Sequence, residues 1–385
     1  MHSRLLAPAL CLALLAASAP WWLSALPTNT GYLRLLHGDP AGAAAWAERG
    51  VGWQEGSAGA YRLWGLSLAR TGEPAAAAER LERAVSLDPG NLEAHYQLAE
   101  ALYSLGQEDA AVEHWRAAKA GSLLRGRGEA AKTAIDLEAA GRWYALSIRV
   151  APSDAANWLG LAQALAQQGW YTRAADAYGE MVERFPSSRS GYEGRANLLY
   201  NQLKDKPAGR ALLERGLALV TNGKQGLYHL RSTFQAAEGD LAGAEADANR
   251  VIALEPANGW YLSWLGDLYL RQKRYDEAIA QYETTAQQAS DRTWLWRGRQ
   301  KIGALYAGLK DWPAAIAEYQ QAVDLSREQG AKPDVLAANY VQLGNQLSAA
   351  KVLEEAIGAY QTALALDPTN RDAARLLQDA LKPKK

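Results

Sequence analysis

Residues 155–188 read AANWLGLAQALAQQGWYTRAADAYGEMVERFPSS, and this stretch decides the fold. The apolar residues of its first half recur at i, i+3, i+4 and i+7, which is one face of a helix: Trp158, Leu161, Ala162 and Leu165. After Gly169, which ends that helix, a second helical face follows: Tyr171, Ala174, Ala175 and Tyr178. Pro186 ends the second helix. The stretch therefore predicts a hairpin of two antiparallel helices, which needs neighbours to cover its apolar faces.

The same pattern repeats along the chain. If Ala155 is position 1 of its unit, the units begin near Ser24, Ala58, Leu92, Gly121, Ala155, Arg189, Gln225, Gly259, Trp296 and Ala337. Position 8 is small in each unit: Gly31, Gly65, Ala99, Gly128, Ala162, Ala196, Ser232, Gly266, Gly303 and Gly344. Position 20 is small as well: Ala43, Ala77, Ala111, Ala140, Ala174, Gly209 (after one inserted residue), Ala244, Ala278, Ala315 and Ala356. We expect the two helices of each hairpin to cross most closely there, because larger side chains would separate the backbones.

Two further positions complete the pattern. Position 24 often carries a large side chain: Leu81, Trp115, Tyr144, Tyr178, Tyr282, Tyr319 and Tyr360. Several units end in a proline: Pro89, Pro152, Pro186, Pro256 and Pro368. With these features the unit resembles the tetratricopeptide repeat, over about residues 30–380. The resemblance implies an all-α, right-handed superhelical solenoid of about ten hairpins, which serves as a scaffold and carries no chemistry of its own.

The chain divides into three predicted parts. Residues 1–27 form an N-terminal membrane anchor or signal peptide, residues 28–370 form the repeat array, and residues 371–385 form a capping helix with a basic tail. The capping sequence DAARLLQDAL is amphipathic, as the solvent-facing end of a repeat array has to be.

The segment from Leu5 to Leu26 contains 22 residues without a charge, enough to cross a hydrocarbon core. Three interpretations stay open: an uncleaved anchor behind Arg4, a signal peptide cut near residues 17–19, and a buried first helix of the array. Pro20 disfavours cleavage directly before it. The first two interpretations place the array on the extracytoplasmic side of a membrane, either anchored there or secreted, for example into a periplasm.

Composition excludes several classes of function. Lysine and arginine number 41 against 42 aspartate and glutamate, a balance that argues against nucleic-acid binding. Cys11 is the only cysteine, and the five histidines form no spacing typical of a metal site. The sequence contains no nucleophile elbow, phosphate loop or dinucleotide motif. We therefore expect no catalytic residues, no metal and no cofactor.

The resemblance also implies where partners bind. In tetratricopeptide repeats the first helix of each hairpin lines a concave groove, chiefly through positions 2, 5, 9, 12 and 13. The candidate groove residues at these positions are Tyr96, Glu100, Tyr103, Arg125, Asn197, Tyr200, Asn201, His229, Trp260, Asp267 and Arg271. Tyrosine, tryptophan and arginine are types that anchor protein partners. We expect Tyr200 and Trp260 to be exposed, whereas Tyr144, Tyr178 and Tyr282 pack between helices.

The sequence therefore predicts a non-enzymatic scaffold that binds proteins or peptides in its groove and organises them at the extracytoplasmic side of a membrane, in cell-envelope assembly. The alternative is an accessory subunit of envelope polysaccharide synthesis or export, whose groove aromatics contact glycan. An enzyme that carries the array as an appendage is disfavoured, because the repeats leave too few residues unassigned.

Overall fold

The computed structural model describes the backbone of residues 21–382 and the side chains of residues 26–382. The predicted membrane segment 5–26 lies mostly outside these residues and stays a prediction. None of the helices within residues 21–382 combines the length and the apolar character needed to cross a membrane.

Residues 21–382 form twenty-one α-helices and no strand, so the predicted all-α fold is confirmed. The helices are α1 Trp21–Leu36, α2 Pro40–Trp53, α3 Ala58–Thr71, α4 Pro74–Leu87, α5 Leu92–Ser104, α6 Glu108–Ala117, α7 Gly121–Thr133, α8 Leu137–Val150, α9 Ala155–Gln167, α10 Tyr171–Arg184, α11 Arg189–Asn197, α12 Lys206–Leu219, α13 Gln225–Glu238, α14 Leu241–Leu254, α15 Gly259–Arg271, α16 Tyr275–Gln288, α17 Thr293–Gly308, α18 Trp312–Glu328, α19 Pro333–Ala349, α20 Leu353–Leu366 and α21 Arg371–Leu381. Each odd-numbered helix up to α19 pairs with the next even-numbered helix, which gives ten hairpins. We number them hairpins 1 to 10.

Every hairpin turns at a residue with positive φ. Glycine takes this position in five hairpins: Gly38, Gly72, Gly106, Gly169 and Gly239. The other five use a side-chain-bearing residue: Ile135, Lys204, Lys273, Lys310 and Lys351. The left-handed conformation is readily adopted by glycine and strained for other residues. The hairpin therefore imposes the left-handed conformation at its turn, and only half of the turns carry the glycine that suits it.

The predicted close crossing of the two helices is confirmed. A Cβ atom at Gly266 would lie 2.4 Å from Cε1 of Tyr282, and one at Gly344 would lie 2.6 Å from Cε1 of Tyr360. The alanines at position 20 are fully buried, among them Ala278. In hairpins 4, 8, 9 and 10 the ring at position 24 therefore packs directly over the glycine at position 8.

Hairpin 6 departs from the pattern because its first helix ends in a π-helical turn, Leu198–Gln202. This turn takes up the one residue that is inserted before Gly209. A π-turn adds a residue to the helix and changes the direction in which the following side chains point. The insertion found in the sequence therefore has a structural counterpart that alters which residues of hairpin 6 face inward.

The chain forms two compact units, Met1–Phe185 and Pro186–Lys385, which are described separately below. In the first unit, α1 runs across the predicted boundary at residue 27, and that boundary stays a prediction. In the second unit, α21 packs Leu376 and Leu377 against the core of hairpin 10 around Tyr360. An apolar edge of the last hairpin is thereby covered by a helix whose outer face is charged.

Candidate partner-binding site

The second unit contains a cavity of about 850 Å³ on the first helices of hairpins 8, 9 and 10, which are α15, α17 and α19. We call it the tryptophan pocket. It is lined by Trp260, Ser263, Trp264, Asp267, Trp294, Trp296, Arg297, Gln300, Lys301, Ala304, Tyr319, Val335, Ala338, Asn339 and Gln342. Its volume lies within the range of about 300–1,000 Å³ that is usual for ligand sites.

Aromatic rings form one wall of the tryptophan pocket. Trp260, which is 56% exposed, meets Trp294 edge to face, with ring centroids 6.0 Å apart. Gly259 makes this contact possible, because a Cβ atom there would lie 2.2 Å from Cγ of Trp294. Trp264 stands one helical turn further along α15, and its Nε1 donates a hydrogen bond to Oγ of Ser232 at 2.8 Å. The rings are thus fixed in place before any ligand arrives.

His229 holds the outer end of this wall. Its Nε2 accepts a hydrogen bond of 3.1 Å from Nε1 of Trp260, and its ring lies edge-on to Trp264 at a centroid distance of 5.6 Å. Burial lowers the pKa of the His229 imidazole below its ordinary value. The neutral form is the one that can accept from Trp260, so the contact and the pKa shift agree.

A charged pair, Asp267 and Lys301, also lines the pocket. Nζ of Lys301 lies 2.8 and 2.9 Å from the two carboxylate oxygens of Asp267. The same carboxylate accepts a hydrogen bond of 2.5 Å from the hydroxyl of Tyr282, the ring that packs over Gly266. Burial, and then this carboxylate, raise the pKa of the Tyr282 hydroxyl. The charges of Asp267 and Lys301 are therefore already used within the protein.

Two polar groups in the pocket have no such partner. Asn339 is 3% exposed; its Oδ1 accepts from Nε2 of Gln300 at 2.8 Å, but its Nδ2 makes no hydrogen bond within the described residues. The hydroxyl of Tyr319 also has no acceptor among residues 26–382, but unlike Nδ2 of Asn339 it is not a fully buried atom. Buried polar groups are normally hydrogen-bonded, so such exceptions need a physical reason.

Arg297 adds a cation beside the rings. Its guanidinium carbon lies 5.2 Å from the ring centroid of Trp294 and 5.3 Å from that of Trp296. Within the described residues it makes no ion pair closer than 4.0 Å. The stacked guanidinium is therefore held in place with its donors still available.

Four of the predicted groove residues lie in the first unit, where they are engaged internally. Tyr96 and Glu100 both accept from Nη2 of Arg127, at 2.8 and 2.7 Å, and Glu100 also accepts from Nε1 of Trp115 at 3.0 Å. Burial, and then the charge of Glu100, raise the pKa of the Tyr96 hydroxyl. Tyr103 packs against the ring of Trp115 with centroids 5.3 Å apart.

Arg125, the fourth of these residues, donates to the carboxylate of Asp154 and to Oδ1 of Asn157. Its guanidinium thus joins hairpin 4 to the first helix of hairpin 5. The role of these four residues in partner binding stays a prediction.

The second unit gathers four of the remaining predicted residues. Trp260 and Asp267 line the tryptophan pocket, His229 contacts Trp260, and Arg271 places its guanidinium 5.4 Å from the ring centroid of Trp264. The structure therefore brings together residues from hairpins 7 and 8 that lie up to 42 positions apart in the sequence, from 229 to 271.

Asn197 and Asn201 are exposed on hairpin 6 and bond to each other, Nδ2 of Asn201 donating to Oδ1 of Asn197 at 2.6 Å. The expectation that Tyr200 is an exposed groove aromatic is wrong. Tyr200 is 4% exposed, stacks on Phe234 with centroids 3.8 Å apart, and donates to the Phe234 carbonyl at 3.2 Å. It lies in the π-helical turn, which directs it into the core.

The sequence interpretation missed most of the pocket. Trp264, Trp294, Trp296, Lys301 and Asn339 do not occupy the groove positions assigned from the repeat, although each lines the cavity. One signal was available: four of the 14 tryptophans of the chain fall within residues 260–296. In contrast, no group of three or more potential metal ligands occurs within the described residues.

Comparison with known proteins identifies the family. Three stretches match models of the tetratricopeptide repeat: residues 68–119, residues 155–198 and residues 257–328. Together with the ten hairpins and their small residues, these matches show that the chain belongs to the tetratricopeptide-repeat family. Members of this family generally act as non-catalytic scaffolds for other proteins. None of the curated proteins compared matches the chain significantly.

Solved structures with a similar fold include yeast Tom70, at 15% identity and a TM-score of 0.46, over 93% of this chain and 88% of that one. The APC/C hetero-tetramer Cut9-Hcn1 matches at 13% identity and a TM-score of 0.39, over 91% and 95% of the two chains. A tetratricopeptide repeat protein from Parabacteroides merdae matches at 18% identity and a TM-score of 0.32, over 64% and 98%. Likeness at this level says nothing about partners.

Proposed function

We propose that this chain is a non-enzymatic scaffold that binds and organises partner proteins at the extracytoplasmic side of a membrane, in cell-envelope assembly. The observation that carries the proposal is the tryptophan pocket on α15, α17 and α19. Rigid aromatic rings and an available arginine are the features that anchor partner proteins at interfaces. The pocket lies on the first helices of its hairpins, which are the ligand-facing helices of this repeat.

The membrane context rests on a different part of the chain. The uncharged segment 5–26 follows Arg4, and its length suits either an anchor or a signal peptide. Both alternatives deliver the repeat array to the extracytoplasmic side. A fusion of alkaline phosphatase to the C-terminus should therefore be active in cells, whereas activity of a reporter that functions only in the cytoplasm would contradict this topology.

A second candidate is contact with envelope glycan during polysaccharide synthesis or export. The exposed ring of Trp260 favours this candidate, because an exposed aromatic face can also stack on a sugar. Protein binding is preferred because Trp260 and Trp294 meet edge to face, so these two rings do not form one broad flat platform.

Site-specific photocrosslinking in cells tests the proposal. A benzophenone amino acid at Gln342, exposed at the pocket, should form a covalent adduct with one partner protein, and Trp294→Ala should abolish that adduct. The same amino acid at Gln320, exposed on α18 outside the pocket, serves as the matched control. The proposal fails if position 342 yields no protein adduct, or if both positions yield the same adducts.

A further inference from the structure

The tryptophan pocket offers hydrogen-bond donors that the protein itself leaves unused. The Nδ2 group of Asn339 is buried and unpartnered within the described residues. The hydroxyl of Tyr319 donates to no acceptor among them either. The Nε1 groups of Trp294 and Trp296 likewise donate to no acceptor among residues 26–382. Arg297, stacked on both rings, adds further N–H groups. A ligand that covers these N–H and O–H groups must supply acceptors for them, because a donor that becomes buried and unpaired is unfavourable.

Three of the acceptors beside these rings are occupied. The carboxylate of Asp267 accepts from Tyr282 and Lys301, and Oδ1 of Asn339 accepts from Gln300. Nε2 of His229 accepts a hydrogen bond from Nε1 of Trp260. The side-chain oxygens of Ser263, Gln300 and Gln342 remain, but the N–H groups of Arg297, Trp294 and Trp296 outnumber them. The pocket therefore combines an apolar aromatic lining with more donors than acceptors. A complementary ligand must have an apolar body, must supply acceptors, and must bring few donors that would need acceptors in return.

Ordinary peptide and sugar meet this requirement poorly. Every residue of a peptide except proline carries an N–H group that must be paired on burial. Each hydroxyl of a sugar is a donor as well as an acceptor. Proline differs because it has a carbonyl acceptor, an apolar ring and no N–H group. Resting on the proposed function, we infer that the tryptophan pocket binds a proline-rich segment of the partner protein in the polyproline II conformation.

The dimensions of the pocket agree with this ligand. Polyproline II rises about 3.1 Å per residue with three residues per turn, so one turn extends about 9 Å. A cavity of about 850 Å³ has room for such a turn and for prolyl rings against Trp260 and Trp294. Such a segment loses little conformational entropy on binding, because it is already extended in solution. The carbonyl groups of the turn accept hydrogen bonds from Arg297, Tyr319 and the indole Nε1 groups of Trp294 and Trp296.

Fluorescence anisotropy with the full-length chain tests the inference. Fluorescein-labelled decaproline should bind saturably, and a glycine–serine peptide of equal length should bind at least about tenfold more weakly, since it lacks the rings and carries N–H groups. Trp294→Ala should lower the affinity for decaproline about tenfold or more. Tyr319→Phe should lower it about fivefold without changing the melting temperature, because the hydroxyl has no partner inside the described protein.

Tyr178→Phe is the matched control. Tyr178 occupies the same repeat position in hairpin 5, lies outside the pocket, and donates no hydrogen bond within the described residues. Its variant should bind decaproline as the wild type does. Chitohexaose forms a second arm of the experiment, and it should not compete with decaproline.

The inference is overturned if decaproline does not bind, if Trp294→Ala or Tyr319→Phe binds it unchanged, or if chitohexaose binds in its place. These failures are separable from failure of the proposed function. If the adduct at position 342 still forms with a protein and depends on Trp294, the scaffold function stands and only the proline-rich ligand is wrong. Loss of the adduct would remove the scaffold function as well.

Discussion

Hairpins 3 and 9 use the same two repeat positions in opposite ways. In hairpin 3, position 9 is Glu100, whose carboxylate accepts hydrogen bonds from Trp115 at position 24 and from Arg127 of the next hairpin. In hairpin 9, position 9 is Ala304, and Tyr319 at position 24 therefore has no acceptor within the described residues. In these two hairpins the side chain at position 9 therefore makes the difference: Glu100 closes the inner surface with internal bonds, whereas Ala304 leaves the hydroxyl of Tyr319 open to a ligand.

Hairpins 8 and 10 follow the closed arrangement. The hydroxyl of Tyr282 donates to Asp267 at 2.5 Å, and that of Tyr360 donates to Asn345 at 3.0 Å. In both cases the acceptor occupies position 9 and the ring occupies position 24. Hairpin 9 therefore lies open between two closed neighbours, and this is where the tryptophan pocket forms.

The largest expected effect comes from a substitution at the close helix crossing, a feature that closed and open hairpins share. Gly266→Leu would place a Cβ atom 2.4 Å from the ring of Tyr282 and force the helices of hairpin 8 apart. We expect a loss of stability of about 1–3 kcal/mol or more, since overpacking at a close crossing displaces backbones. Thermal melting followed by circular dichroism measures it. A variant that melts as the wild type does would mean that this crossing is not closely packed.

The second substitution removes the internal hydrogen bonds that close hairpin 3. Glu100→Ala removes the acceptor of the fully buried Trp115 and the carboxylate partner of Arg127. We expect a loss of about 1–3 kcal/mol, which is typical of a buried donor left unpaired. Glu100→Gln keeps an acceptor for the indole and should lose less in a urea melt. Equal stability of wild type and Glu100→Ala would show that the closed arrangement contributes nothing.

The closed framework was predictable from the sequence. Small residues such as Gly266 and large ones such as Tyr282 stand sixteen positions apart, and this spacing alone indicates that they meet within one hairpin. Local periodicity fixes which residues of a hairpin face each other. Such contacts lie within one repeat, so the identity of the neighbouring repeats hardly affects them.

The pocket was not predictable in the same way. Trp294 and Asn339 belong to different hairpins, and their meeting depends on how successive hairpins stack. Tyr200 shows a second limit, because one inserted residue produced a π-helical turn that moved its side chain from the expected exposed face into the core. A position number assigned by repeat spacing loses its meaning after such a turn.

The third substitution gives hairpin 9 the acceptor that it lacks at position 9. Ala304→Asp places a carboxylate at position 9, where it should accept from the Tyr319 hydroxyl as Asp267 accepts from Tyr282. We expect the affinity for decaproline to fall about tenfold, or about 1.4 kcal/mol, with the melting temperature preserved. Ala317→Asp, an exposed position on α18, controls for the added charge. Unchanged affinity in Ala304→Asp would show that Tyr319 does not serve the ligand.

The smallest expected effect is a loss of stability in mild acid, to which one histidine of each unit contributes, His114 and His229. Burial, and then the charge of His95, hold the pKa of His114 below its ordinary value, although Glu82 and Glu113 oppose the shift. Nδ1 of His114 lies 2.8 Å from Nδ1 of His95, so one of the two rings must accept from the other. In the second unit, burial alone lowers the pKa of His229.

Both shifts have the same sign. A histidine whose folded pKa is depressed binds protons more readily in the unfolded chain, so its contribution to stability is complete above the ordinary value of 6.5 and is lost as the pH falls through the folded pKa. The melting temperature should therefore decrease between about pH 7.5 and 5.5. His114→Gln and His229→Gln should each show a smaller decrease, whereas the exposed His37→Gln should follow the wild type. A melting temperature that rises as the pH falls from about 7.5 to 5.5 would contradict the lowered pKa values assigned to His114 and His229.

The pH dependence of ligand binding distinguishes the role of His229 from that of His114. Protonated His229 carries a proton on Nε2 and can no longer accept from Trp260, so the outer ring of the tryptophan pocket loses its fixed position. Decaproline should therefore bind more weakly at about pH 5.5 than at about pH 7.5, and His229→Gln should remove most of this dependence. His114 lies in the other compact unit and contributes nothing to the pocket, so His114→Gln should keep the wild-type dependence of binding while it flattens that of melting. If both variants change binding and melting alike, acid acts through general loosening of the chain, and the hydrogen bond between Trp260 and His229 does not set the shape of the pocket.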